Sequence, residues 1–188
     1  MSVERSNKFI VYGYKTFHLS IVTIMAISSM NAADKVLVAY FSATGTTKAV
    51  AEQIALASGG ELMAIEPVQP YTSADLNWQD KKSRSTVEMN DESARPAIKK
   101  TKENLDGYTT VYVGFPVWWY VAPRIINTFL EAYDFSGKTI IPFATSGGSG
   151  IAGCTKALRK TYPNLHIEDG KLLNYTSYEE IQAWVKKQ

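Results

Sequence analysis

The sequence predicts a doubly wound α/β domain built on a parallel sheet, and three observations predict it. Short, nearly continuous apolar runs recur along the chain, each the mark of a strand buried on both faces. Helical spacing of apolar residues follows each run, so that strands alternate with helices five times. Loops rich in hydroxyls, aromatics or glycine stand where strands end, which is where sheets of this kind bind ligands.

The elements follow in chain order. Residues 36–41 form the first apolar run, stopped by Ser42. Val50, Ile54 and Ala57 then share a helical face, closed by Gly59 and Gly60. Residues 62–65 are a second short strand. Residues 67–92 open with Pro67 and Pro70 and turn polar; a loop of that length is functional or mobile. A short helix is expected over 97–104, and a turn at Asp106-Gly107. Residues 110–115 form a third strand, ended by Pro116. Ile125, Ile126, Phe129 and Leu130 mark the next helix, which closes near Gly137. Residues 139–144 form a fourth strand, in which Pro142 cannot donate to a ladder. A helix around 151–160, a short strand near 165–168 and a helix over 178–187 complete the chain.

The chain has 188 residues, 45% hydrophobic and 20% charged, which suits one packed core. The domain is expected over 34–188, with 1–33 as an N-terminal extension. That extension carries an apolar run over 19–27 behind Arg5, Lys8 and Lys15. The run has the length of a signal-peptide core and is too short to span a membrane. Cleavage after Ala32 would leave Met30 where a small residue is wanted; the other reading is a reading frame extended upstream of a start at Met25 or Met30. The expected location is the cytoplasm, or the periplasm if 1–32 is a signal peptide. No stable membrane insertion is expected.

Residues 34–188 hold 17 basic and 17 acidic residues, which is no footprint of a nucleic-acid binder. One cysteine, Cys154, allows no internal disulfide, and with two histidines it makes no zinc site of the usual kind. It reads as a small buried residue. Lys81, Lys82 and Arg84 read as a solvated face, with an anchor for a nicotinamide phosphate or an acidic partner as the alternative.

Three loops carry the chemistry. Ser42-Ala43-Thr44-Gly45-Thr46-Thr47 joins the first strand to its helix. Helix-start amides, the helix dipole and four hydroxyls favour an anion there, and Gly45 allows close backbone approach. Capping a helix needs one such hydroxyl rather than four. The loop holds no lysine, so a magnesium triphosphate is disfavoured and a terminal monophosphate ester is favoured. Pro116-Val117-Trp118-Trp119-Tyr120 sets three aromatics after the third strand, suited to stacking on a flat ring. One of the two tryptophans is expected to be ordinary core. Thr145-Ser146-Gly147-Gly148-Ser149-Gly150 offers amides and small side chains. A rival motif overlaps it. Gly148, Gly150 and Gly153 match the dinucleotide fingerprint, with Glu168 as its acidic residue. The fingerprint belongs to the first strand–helix turn of its fold, whereas this is the fourth.

The first loop resembles the flavodoxin phosphate loop, Thr/Ser-x-Thr-Gly-x-Thr, and the likeness extends from about Lys35 to the C-terminus. Residues 114–119, with their Pro-x-Trp-Trp loop, and 135–150 are similar to a bacterial branch of flavodoxin-like proteins. The resemblance implies a five-stranded parallel sheet in order 2-1-3-4-5 with helices on both faces. It implies FMN, with its phosphate on 42–47 and its ring between 116–120 and 145–150. The cofactor carries the electron chemistry, so no catalytic acid or base is named from the protein. Two functions follow. One is an FMN-dependent oxidoreductase passing electrons from NAD(P)H to a quinone or similar acceptor. The other is a single-electron carrier between redox proteins; carriers of the family are strongly acidic, and this domain is not.

Overall fold

The structure is a computed structural model that describes residues 35–188. The expected extension over 1–33 lies outside the described residues. The strands are β1 (Lys35–Tyr40), β2 (Glu61–Ala64), β3 (Tyr108–Pro116), β4 (Thr139–Thr145), β5 (His166–Ile167) and β6 (Lys171–Leu172). The helices are α1 (Thr46–Ser58), α2 (Arg84–Asn90), α3 (Arg124–Ala132), α4 (Ala152–Thr161) and α5 (Tyr178–Val185). The sheet is parallel in the expected order, β2-β1-β3-β4-β5, and β6 also pairs with β4.

Period-two alternation divides the core between the sheet's two faces. Leu37, Ala39, Val111 and Val113 pack with Ile125, Ile126 and Phe129 of α3 and with Leu158 of α4. Val38, Tyr112, Ile141 and Phe143 pack with Val50 and Ile54 of α1 and with Ile181 and Trp184 of α5. Each fully buried side chain of this size contributes roughly 1.5–3 kcal/mol of apolar burial. Gly114 makes room within this packing. A Cβ there would lie 2.1 Å from the Phe143 ring.

Two expectations are corrected. The helix expected over 97–104 is absent. Ile98 instead bridges Pro67, with Val68 N–H donating to Ala97 O and Lys99 N–H to Glu66 O, both at 2.8 Å. The segment has no apolar helical face, and Lys102 turns to Glu61. A helix forms earlier, as α2, inside the stretch read as loop. Ser83 caps it by accepting from Thr86 N–H, Met89 is buried, and Arg84 reaches Glu88 one turn on.

The fifth strand is split in two, and Pro142 is the cause. Ile140 O accepts from Glu168 N–H at 2.8 Å, and Ala144 O accepts from Leu173 N–H at 2.9 Å. Pro142 faces the same edge between them and has no N–H to offer. The chain leaves the ladder there, and a Cβ on Gly170 would stand 3.0 Å from Pro142 O.

Candidate cofactor site

The first loop leaves β1 as Phe41 donates its N–H to Gly114 O at 2.9 Å. Ser42 then turns inward on the loop, its Oγ accepting from Gly45 N–H at 3.1 Å. Gly45 has φ +92°, a left-handed conformation that disfavours any side chain, and a Cβ there would meet open space. Gly45 is also the N-cap of α1, and no side chain caps that helix. The hydroxyls are therefore not spent on capping. Thr44 Oγ1 and Thr46 Oγ1 lie 3.4 Å apart on the exposed side. Among the described residues no backbone hydrogen bond takes up the N–H groups of Thr46, Thr47 or Lys48. Thr47 has a different role from the other three hydroxyl residues. It is buried, and its Oγ1 lies 2.8 Å from Thr145 Oγ1, tying the first loop to the end of β4.

The second loop is a two-residue turn. Trp118 and Val121 exchange backbone hydrogen bonds, both 3.0 Å, and Trp119 and Tyr120 between them have φ +48° and +67°. Positive φ at both central positions is the primed turn that Asn-Gly normally occupies, so two aromatics here are strained. Close packing holds them. Gly153 of α4 lies so near that a Cβ would stand 2.8 Å from Tyr120 O, and Cys154 Sγ–H reaches the same oxygen at 3.6 Å. That close approach explains the third glycine of the dinucleotide-like motif. Burial raises the Cys154 thiol pKa to about 11.

Neither tryptophan is ordinary core: Trp119 is exposed, and Trp118 is half-buried against the core. Its ring packs edge-on against Phe41 at 5.6 Å and Tyr71 at 5.5 Å between centroids. Tyr71 is itself pinned. It donates to Glu88 Oε2 at 2.5 Å, and the Arg84 guanidinium lies 4.0 Å over its ring. Burial, and next the Glu88 carboxylate, push the Tyr71 hydroxyl pKa up. Arg84 also binds Glu88 Oε1 at 2.6 Å, so it braces the site wall and is not a free surface cation. Lys81 and Lys82 are exposed, as a solvated face requires.

The third loop is held by a residue that the sequence did not flag. Asn174, after β6, accepts from Ser146 N–H at 2.6 Å and donates to Ser146 O. Ser146 Oγ accepts from Ser149 N–H at 2.8 Å and from Gly148 N–H at 3.2 Å, which curls the loop.

These loops converge on a cleft of about 390 Å³ at the carboxyl ends of β1, β3 and β4. Ala43, Thr44, Thr46 and Thr47 line it from the first loop, Pro116, Val117 and Trp118 from the second, and Thr145, Ser146 and Gly147 from the third. Trp119, Tyr120 and Ser149 line an adjoining cleft. Ser42, Gly45, Gly148 and Gly150 line neither; the first three act on loop shape through the hydrogen bonds above. Leu76, Asn174 and Tyr175 also line the first cleft and were not foreseen. Leu76 was legible only as an apolar residue in a polar loop. No charged side chain lines the cleft. Its anion-binding power rests on amides, hydroxyls and the dipole of α1, which fit a phosphate ester carried by an uncharged ring system.

The model of the flavodoxin family matches residues 35–188. The chain belongs to the flavodoxin family. It has a flavodoxin-like fold that binds FMN. Two solved structures from Bacteroides are similar to it. A protein of Bacteroides eggerthii described as a flavoprotein shares 57% identity at a TM-score of 0.79, covering 81% of this chain and 96% of its own. One of Bacteroides uniformis shares 53% at 0.79, covering 81% and 97%. A Lactobacillus acidophilus flavoprotein solved in complex with FMN shares the fold at 22% identity and a TM-score of 0.62, covering 74% and 93%. No curated protein matches the chain. No helix among the described residues is long and apolar enough to cross a membrane. Nor do those residues hold a His, Cys, Asp and Glu cluster able to bind a metal.

Proposed function

We propose that this FMN-binding chain is an oxidoreductase that passes electrons from NAD(P)H to a quinone or similar small acceptor. One observation carries the reading. A second cleft of about 310 Å³ adjoins the cofactor cleft and shares Leu76, Val117 and Trp118 with it. An electron carrier needs only an accessible cofactor edge for its protein partner. A walled, largely aromatic recess beside the cofactor is room for a small molecule. The balance of 17 basic and 17 acidic residues in 34–188 supports the same reading, because it lacks the strong net charge that would steer an oppositely charged protein partner.

When bound, FMN supplies hydride and single-electron chemistry. The chain's own residues bind and orient. Amides of 46–48 and the hydroxyls of Thr44 and Thr46 would hold the phosphate. Trp118, braced by Phe41 and Tyr71, would form an apolar wall, and the Gly147 amide, left over when Ser146 N–H and Gly148 N–H shape the loop, would meet the polar edge of the ring.

The carrier reading keeps one observation in its favour. Tyr120 and Tyr175 stand at the cleft rim 74% and 104% exposed, where a protein could dock. Anaerobic mixing of the FMN-loaded protein with NADPH or NADH separates the two. The oxidoreductase bleaches rapidly and turns over when a quinone is added. Absence of bleaching, with two well-separated one-electron potentials in a redox titration, would establish the carrier instead.

A further inference from the structure

Resting on that oxidoreductase reading, the geometry points to the second cleft as a site for an uncharged, planar, carbonyl-bearing ring, with Ser85 as its polar contact and Trp78 as its outer wall. Four observations converge. First, no charged side chain lines the cleft, so nothing there would hold the diphosphate of a dinucleotide. Second, the walls are flat and apolar: Trp118, Trp119 and Tyr120 come from the strained turn, and Leu76 and Trp78 from the long loop. Aromatic walls favour a flat ring over a branched or flexible ligand.

Third, Ser85 lines the same cleft at 2% exposure and is poorly satisfied. Its hydroxyl has one partner among the described residues, Ser83 Oγ at 3.5 Å, the outer limit of a hydrogen bond. Ser83 Oγ is already engaged with Thr86, donating to Oγ1 at 2.9 Å and accepting from N–H at 3.3 Å. A nearly unpartnered, buried donor in an apolar recess selects a ligand that brings a hydrogen-bond acceptor. A ring carbonyl is such an acceptor, and a hydrocarbon is not. Fourth, Trp78 is 70% exposed, a large apolar area presented on the lining of the cleft.

The test is equilibrium binding to the FMN-loaded protein by calorimetry without nicotinamide. The probes are 2-methyl-1,4-naphthoquinone and 2-methylnaphthalene, which share a methyl-substituted fused two-ring skeleton, the second lacking the carbonyls of the first. The quinone is expected to bind more tightly than the hydrocarbon. Ser85→Ala is expected to weaken the quinone by about 3- to 10-fold, the weight of one hydrogen bond, and to leave the hydrocarbon unchanged. Trp78→Ala, at an exposed position that folding does not need, is expected to weaken both probes. FMN content is expected to stay at the wild-type level in each variant. Equal binding of the two probes, or a quinone affinity indifferent to both substitutions, overturns the site. Quinone binding as expected in a protein that NADPH and NADH never reduce upholds the site and overturns the oxidoreductase reading.

Discussion

Thr47 and Asn174 show how single side chains shape this site without needing to touch a ligand. Thr47 Oγ1 sits 2.8 Å from Thr145 Oγ1, and both residues are buried. Thr47→Val keeps the shape and strands the Thr145 hydroxyl, so urea unfolding is expected to show a loss of about 1–3 kcal/mol. Adding Thr145→Val removes the stranded group and is expected to restore much of that loss. Asn174 holds both backbone groups of Ser146. Asn174→Ala frees the third loop, and FMN fluorescence titration is expected to show affinity lower by roughly 10-fold, the cost of about 1.4 kcal/mol of lost preorganisation. Neither role was legible beforehand. Thr47 looked like one more phosphate ligand in a run of hydroxyls. Asn174 lies in a stretch without any motif, and its partner is 28 residues away.

Among the elements, the 118–121 turn is the most informative. Its conformation suits Asn-Gly, yet Trp119 and Tyr120 occupy it. Strain at such positions costs of order 1–3 kcal/mol each. Replacing Trp119 by Asn together with Tyr120 by Gly is therefore expected to raise the Tm of the FMN-free protein. At about 2–4 °C per kcal/mol the shift is several degrees in calorimetry. The same change strips the wall of the second cleft, so acceptor binding is expected to fall while stability rises. An unchanged or lower Tm would show that packing against α4 outweighs the strain. The sequence showed that aromatics follow β3, because Pro116 and the buried run before it mark the strand's end. The turn type stayed hidden, since two aromatics are a poor local match to positive φ and only Gly153 beside Tyr120 O makes room for it.

Across the domain, buried hydroxyls and one thiol set the response to pH. Burial raises Tyr112 to about 12 from an ordinary 10.0. Burial, then the Glu131 hydrogen bond, raises Tyr162 to about 12. Cys154 rises to about 11 from 9.0, and Tyr71 is raised as well. Each group holds its proton more tightly when folded. The stability this contributes is whole below the unfolded value and is lost as pH climbs towards the folded one. Denaturant unfolding is expected to give a stability that falls from about pH 9 upward, with the steepest loss between about 10 and 12. The Cys154 thiol is expected to resist alkylation at neutral pH until the protein unfolds.

The alternation of strands with helices and the three site loops could be read from the sequence because each depends on local pattern: apolar runs, helical spacing, and hydroxyls or glycines at strand ends; strand order came only through the resemblance to flavodoxins. The long loop could not. Its helix α2 rests on the Ser83 cap and on contacts made by Met89, and polar spacing hides both. The split of β5 also depends on a partner, since Pro142 breaks a ladder only once another strand lies beside it. The same holds for the second cleft. Leu76, Trp78 and Ser85 meet Trp119 across more than thirty residues of chain. A side chain's neighbours in space follow from how the layers pack, and local periodicity carries no record of that.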